Sequence, residues 1–186
     1  MLLYKRSKNE TPILLWSISF FAIGLAAATG GTYHGFVQSL SASISSALWK
    51  ITLYSIGIST FCMLSGMILA ALKGNVRTVF LILAAVQFLG FAILITRSYE
   101  YKYVIHDYVP AMAVILALCI YRLNQPYAIW IIAGILISFA AAGIQLSGFT
   151  LHKNFNHNDL YHVIQMIAMY LLYRGGSLLS TRNSAL

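Results

Sequence analysis

Apolar runs of about 20 residues alternate with short polar segments along the whole chain. A run of that length spans the hydrocarbon core of a bilayer as a single α-helix. We therefore predict an all-α polytopic membrane protein, a six-helix transmembrane bundle that forms one domain over residues 1–186. The predicted helices lie near 12–36, 45–72, 76–96, 103–122, 126–146 and 158–174.

Composition supports the membrane assignment and argues against a nucleic-acid partner. Only 9% of the residues are charged and 60% are hydrophobic, whereas about a quarter of a soluble domain is charged. The formal net charge is +8, but the basic residues fall between apolar runs and form no stripe with interleaved aromatics. Cys62 and Cys119 lie within apolar runs, where cysteine packs as a small apolar residue.

The distribution of Lys and Arg predicts the orientation in the membrane. With the N-terminus inside, eight of the 12 Lys and Arg residues fall on the inner side and four on the outer side. The Lys5, Arg6 and Lys8 group contributes most to this difference. The positive-inside rule then predicts that both termini are cytoplasmic. The first apolar run does not resemble a cleaved signal peptide, and the short polar tails favour a bacterial inner membrane.

All five histidines are predicted to lie at the same end of the bundle, near the outer face. His34 closes the first run, His106 opens the fourth, and His152, His157 and His162 lie just before or within the sixth. Ionisable residues near membrane depth are costly and usually face a bundle interior or a wet cavity. A metal or haem site could therefore form at this end.

Spacing constrains the histidines at the start of the sixth helix. His157 and His162 are five residues apart, about 140° around an ideal helix. The two rings would converge only with His157 before the first turn, as an N-cap at Asn158 or Asp159 would allow. Asn158 shares a face with His162, and Asp159 lies three residues before His162, where it could orient the imidazole or serve only as the cap.

Two other features of the apolar runs point to function or to helix packing. Asp107 is an acid within the fourth run, where it could be a metal ligand, a general base, the partner of a buried histidine or an interface residue. In the first helix, Gly24, Ala28, Gly31 and Gly35 form a track of small residues. Small residues let helices approach closely, so we expect this track to pack against other helices.

Neutral imidazoles and a water molecule suit a catalytic zinc ion, which polarises a carbonyl and acidifies its water. The ligand set is predicted to be His34, His162 and His157, with Asp107 or Asp159 as base or orienting group; Asn158 or His106 could complete it instead. The carbonyls within reach belong to lipid amides and esters, so a lipid hydrolase is expected. The alternatives are a cytochrome in which two histidines ligate haem b, and a non-enzymatic metal-binding receptor. Oligomeric state and the specific substrate stay open.

The pattern resembles the superfamily of intramembrane hydrolases that contains alkaline ceramidases, progestin/adipoQ receptors, Per1-like and SID-1-like proteins. His34 resembles the histidine of an early helix, and the segment from Asn158 to His162 resembles the H-x-x-x-H motif of the last helix. Asn158 replaces the first histidine of the motif, and Gly30 stands where the family has serine. The resemblance implies a seven-helix fold, zinc and cleavage of a ceramide-like amide, with Asp107 in place of the family aspartate.

Overall fold

The computed structural model describes Leu3, residues 10–152 and residues 155–180. Within this part of the chain, six long helices and no strand longer than an isolated bridge are present, which confirms the all-α fold. The helices are α1 Thr11–Phe36, α2 Ala42–Ala71, α3 Gly74–Arg97, α4 Tyr101–Tyr121, α5 Ala128–Ser147 and α6 His157–Gly176. Lys5, Arg6 and Lys8, which contribute most to the predicted orientation, lie outside the described residues.

Helices α1 to α5 are each long and apolar enough to cross a membrane, by length and composition. The protein is therefore an integral membrane protein. Helix α6 does not reach the same level of hydropathy among the described helices, because polar residues occupy its first two turns. Its crossing of the membrane stays a prediction.

Local capping explains where two of the helices begin or end. Helix α2 starts at Ala42, three residues before the predicted position, because the Ser41 hydroxyl accepts a hydrogen bond from the Ile44 amide. Such a bond satisfies an amide that has no partner inside the helix. At the C-terminal end of α5, Gly148 takes a left-handed conformation with φ 67°, the common stop for a helix.

The described residues divide into two compact units, and the division falls within α4. Unit 1 contains the residues up to Ile115 together with Ser180. Unit 2 contains Leu116–Leu179. Each unit is described by itself below.

In unit 1, α1 and α2 form an antiparallel pair joined by polar contacts. The hydroxyls of Ser19 and Ser59 lie 2.8 Å apart, and those of Thr29 and Thr52 also lie 2.8 Å apart. The Trp16 indole donates to the carbonyl of Met63 at 3.1 Å. These bonds satisfy polar groups that would otherwise face apolar surroundings.

The track of small residues that faces α2 is not the predicted one. Ser19, Ala22, Ala26 and Gly30 are buried on α1, and a Cβ atom at Gly30 would lie 3.2 Å from Thr52. By contrast, a Cβ atom added at Gly24, Gly31 or Gly35 would meet no other atom within 4 Å, so the expectation for that track is wrong within unit 1. The two tracks are neighbouring faces of one helix, and the hydroxyl bonds to α2 select between them.

The opposite side of α2 packs against α3 and the first part of α4. Leu53, Phe91, Ile95 and Val104 form a buried apolar cluster there. Gly57 lies directly against the Phe91 ring, so that any side chain at this position would overlap it. Helix α2 is thus the central helix of unit 1 and contacts neighbours on both sides.

In unit 2, α5 and α6 pack antiparallel along a seam in which two polar contacts are seven residues apart on each helix. At one end Gln145 donates to Asn158 at 3.1 Å, and two turns further Gln165 donates to Ser138 at 3.2 Å. At the other end Gly134 accommodates Leu172. A heptad spacing keeps one stripe of each helix on its partner, so the polar side chains of α6 meet polar partners on α5.

Candidate functional site

An aromatic cluster in unit 1 lies beside the exposed His34 at the end of α1. The ring of Trp49, in α2, contacts those of Tyr33 and Tyr101, with centroid distances of 5.0 and 6.3 Å. His34 meets the Trp49 ring nearly at right angles, with centroids 5.7 Å apart and planes at 77°. The indole N–H of Trp49 donates to the carbonyl of Tyr99 at 2.9 Å. Trp49 is therefore held by three elements while its ring contacts the imidazole.

Asp107 occupies a buried position between membrane helices of unit 1. Its side chain is 6% exposed, and the amide of Gln87, in α3, donates both to its Oδ1 at 3.0 Å and to its backbone carbonyl at 2.7 Å. Pro110 lies three residues further along α4 and lacks the N–H that would pair with the His106 carbonyl. The adjacent His106 is exposed and points elsewhere.

The start of α6 differs from the predicted arrangement. The N-cap is Asn156, not Asn158 or Asp159, and its side chain accepts hydrogen bonds from the amides of both of those residues. The carboxylate of Asp159 accepts from the Asn156 amide at 2.9 Å, which completes a capping box. His157 is consequently the first residue of the helix, so the condition for its ring to point with that of His162 is not met.

His162 lies one turn into α6, exposed and next to the α5–α6 seam. Its ring contacts that of Tyr161 edge-on, with centroids 5.0 Å apart. Asn158 shares its face of the helix, and the Asn158 side-chain oxygen is occupied by Gln145. This hydrogen bond makes the Asn158 oxygen a poor candidate for the ligand that completes a metal site.

The histidines have the free donor atoms that a metal requires. The ring nitrogens of His34, His157 and His162 make no hydrogen bond to any described residue, so each imidazole keeps a nitrogen lone pair for a ligand. Neutral imidazole is a common zinc ligand. His34 and Asp107 belong to unit 1, whereas His157, Asp159 and His162 belong to unit 2. Within the described residues, no three His, Cys, Asp or Glu side chains are grouped closely enough to hold a metal ion.

The sequence predicts no role at these sites for Trp49, Gln87 or Thr60. By sequence, Trp49 only marks the membrane interface, Gln87 is one of several polar residues in apolar runs, and Thr60 has no distinguishing feature. The Thr60 hydroxyl lies near the Asp107 side chain, but it donates to the Ile56 carbonyl in its own helix at 3.1 Å. The sequence gives one signal: three consecutive apolar runs each contain a polar residue. Which of these residues contact one another depends on the rotation of each helix, which the sequence does not show.

Comparisons with known proteins give a family but no characterised relative. No curated protein and no solved structure matches the chain. A family model described as "Family of unknown function (DUF6962)" matches residues 1–181. The match covers nearly the entire sequence, and the chain belongs to the DUF6962 family.

Proposed function

We propose that this protein is a zinc-dependent intramembrane hydrolase that cleaves an amide or ester bond of a membrane lipid. The observation that carries the proposal is the pair of imidazoles without hydrogen bonds to described residues at His34 and His162. Histidines in the membrane-embedded part of a protein are rare unless they serve a site. The proposal also uses the sequence pattern that His34 and His162 share with intramembrane hydrolases.

His34 and His162 are the principal ligands in this proposal; His157 is not retained as the third, because its place in the first turn turns its ring about 140° away from that of His162. Zinc, when bound, would lower the pKa of a water molecule and polarise the substrate carbonyl. Asp159 stabilises the helix that carries His162, because its carboxylate caps the first turn. In this way it fixes the position of the backbone that carries His162.

Asp107 is the proposed general base. Its carboxyl is buried among membrane helices, and Gln87 holds one of its oxygens by a 3.0 Å hydrogen bond. A carboxyl fixed in orientation and shielded from water suits proton transfer to or from a reacting group. Gln87 would then orient the base without contacting the substrate.

Metal analysis of the purified protein tests the ligand set. We expect about one zinc per chain in the wild type and in His152→Ala, which removes a histidine outside the proposed set. We expect loss of zinc in His34→Ala and His162→Ala, and no change in His157→Ala. Equal zinc in all of these proteins would refute the ligand set. A Soret absorbance band in the purified protein would indicate that it binds haem and not zinc.

Turnover of lipids tests the reaction itself. Vesicles that contain a ceramide or a lipid ester are incubated with zinc-loaded protein, and release of fatty acid is measured. Asp107→Asn keeps the hydrogen bond to Gln87 but cannot accept a proton, so we expect a loss of about 100-fold or more. Zinc binding without turnover of either substrate would favour the metal-binding receptor.

We further propose that both termini face the cytoplasm of a bacterial inner membrane, with the site near the outer face. The support is the distribution of Lys and Arg in the sequence. Reporter fusions at the C-terminus test the orientation: a fluorescent protein should be active and alkaline phosphatase inactive. The reverse pattern would overturn it.

A further inference from the structure

We propose that Asp107 is a proton-binding site, whose carboxyl holds a proton at neutral pH between α2, α3 and α4. The side chain is 6% exposed, and its surroundings suit a protonated carboxyl better than an ionised one. An ionised carboxyl accepts hydrogens on both oxygens, whereas a protonated carboxyl accepts on one oxygen and donates from the other. The inference goes beyond the proposed function, because it needs neither a metal nor a substrate.

The Oδ1 atom of Asp107 is the accepting oxygen. The side-chain nitrogen of Gln87 lies 3.0 Å from Oδ1 and 2.7 Å from the backbone carbonyl oxygen of the same residue. A backbone carbonyl only accepts, so the Gln87 amide presents its NH₂ group at this position and not its oxygen. Both N–H groups are then in use, and Gln87 has no further hydrogen for the second carboxyl oxygen.

The Thr60 hydroxyl, on α2, lies near the same carboxyl. Its hydrogen is directed to the Ile56 carbonyl in its own helix at 3.1 Å, and the hydroxyl oxygen keeps lone pairs that can accept. No described residue donates a hydrogen bond to the second oxygen of Asp107. A proton on that oxygen makes it a donor and gives it the Thr60 oxygen as an acceptor, so both ends of the carboxyl are then satisfied.

The charges around the carboxyl also favour the neutral form. The basic residues of the three helices are distant, paired or exposed: Lys50, Arg77, Arg97, Lys102 and His106. Those on α2 and α3 lie ten residues from Thr60 or Gln87, about 15 Å along the helix axis. On α4, Lys102 pairs with Glu100 at 2.6 Å. The other titratable residues of these helices in unit 1 are phenols and thiols: Tyr54, Cys62, Tyr101, Tyr103 and Tyr108. A buried carboxylate without a cationic partner is costly in a membrane protein.

Asparagine imitates a protonated carboxyl, because its amide also accepts on one atom and donates from the other. Asp107→Asn should therefore unfold in mixed micelles at the same denaturant concentration as the wild type at neutral pH. Asp107→Leu, which removes both hydrogen bonds, should unfold at a lower concentration. A loss of stability in Asp107→Asn as large as that in Asp107→Leu would show that both oxygens accept, and would overturn the inference.

An infrared measurement observes the proton in the unsubstituted side chain. The chain has two aspartates, and Asp159 is the matched control, because its carboxylate accepts from the Asn156 amide at 2.9 Å in the capping box. Full-length protein is labelled with ¹³C-carboxyl aspartate and studied at about pH 7, where an ordinary aspartate is ionised. We expect an isotope-shifted carbonyl band of a protonated carboxyl in the wild type and in Asp159→Asn, and its loss in Asp107→Asn.

The outcome separates this inference from the hydrolase. Absence of the band, or its loss in Asp159→Asn and not in Asp107→Asn, would overturn the proton site and leave the hydrolase standing. The band in a protein that cleaves no lipid would remove the hydrolase and leave the proton site. With both in place, Asp107 has to release its proton before it acts as a base, so lipid turnover should rise with pH.

Discussion

The hydroxyl oxygens of Ser19 and Ser59 lie 2.8 Å apart across the α1–α2 interface, and both residues are buried. Apolar side chains gain little by leaving lipid for a helix interface, so close packing and hydrogen bonds of this kind hold membrane helices together. Either hydroxyl can be the donor. This hydrogen bond should therefore make a measurable contribution to the association of the two helices.

A double-mutant cycle with Ser19→Ala and Ser59→Ala measures that contribution. We expect a coupling energy of about 0.6 kcal/mol, the average for side-chain hydrogen bonds between membrane helices. The free energy of unfolding in mixed micelles gives the values. As the control, Ser17→Ala combined with Ser59→Ala should be additive, because the Ser17 hydroxyl bonds within its own helix to the Ile13 carbonyl at 2.8 Å. Additivity in both cycles would contradict the expectation.

Substitution of Gly66 should destabilise the same interface. A Cβ atom there would lie 2.5 Å from Trp16 Cδ1 and 3.1 Å from the Pro12 carbonyl oxygen, so α1 and α2 would have to separate. We expect Gly66→Ala to lower the free energy of unfolding by about 1–3 kcal/mol. Gly31→Ala, at a position with no atom within 4 Å, should leave it unchanged or raise it by up to about 1 kcal/mol. Similar changes at the two positions would show that the close approach of α1 at Gly66 does not control the stability of this interface.

Tyr127, at the start of α5, has a buried hydroxyl with no hydrogen-bond partner among the described residues. The side chain is 1% exposed, and burial raises the pKa of its phenol to about 12. An unsatisfied buried hydroxyl costs free energy, so Tyr127→Phe should raise the free energy of unfolding by about 1 kcal/mol. Tyr121→Phe, at a residue that is 68% exposed, should have no effect. A clear loss of stability in Tyr127→Phe would show that the hydroxyl has a partner in solution.

The segment between α3 and α4 contains a carboxylate with a lowered pKa. Hydrogen bonds from Lys102 and then Ser98 lower the pKa of Glu100, and the Lys102–Glu100 ion pair measures 2.6 Å. The stabilisation is present above the ordinary pKa of glutamate and is lost as the pH falls through the lowered value. NMR titration of ¹³C-labelled glutamate should show Glu100 titrating below the ordinary pKa of glutamate, and at a higher pH in Lys102→Met than in the wild type. A Glu100 signal at the same pH in Lys102→Met would exclude the ion pair as its cause.

The helices could be predicted from the sequence because hydropathy alone determines which segments can enter lipid. The observed helix bounds lie within three residues of the predicted ones. Helix rotation could not be predicted, since α1 has two tracks of small residues and only the bonds from Ser19 and Thr29 to α2 select one of them. Hydroxyl bonding is equally ambiguous in a sequence, because Thr32 bonds to Ala28 in its own helix while Thr29 also reaches Thr52.

The candidate site could be predicted only as a set of residue types. The sequence identifies Asp107 and the histidines because ionisable groups in apolar runs are rare. It does not show that Gln87 bonds to Asp107 or that Trp49 contacts His34, because both pairs join separate helices. Nor does it identify the cap at Asn156, because Asn156, Asn158 and Asp159 are all good N-cap residues at nearby positions.

The seam between α5 and α6 has a consequence for biosynthesis. Asn158 and Gln165 lower the hydropathy of α6, yet both direct their polar groups to α5. If each helix entered the bilayer alone, its side-chain amides or hydroxyls would have no hydrogen-bond partner there. When α5 and α6 are packed together, these groups hydrogen bond to each other. We therefore expect the translocon to insert α5 and α6 together. Helix α5 should stay at the lateral gate until α6 has been synthesised, and the two helices should then enter the lipid as a hairpin.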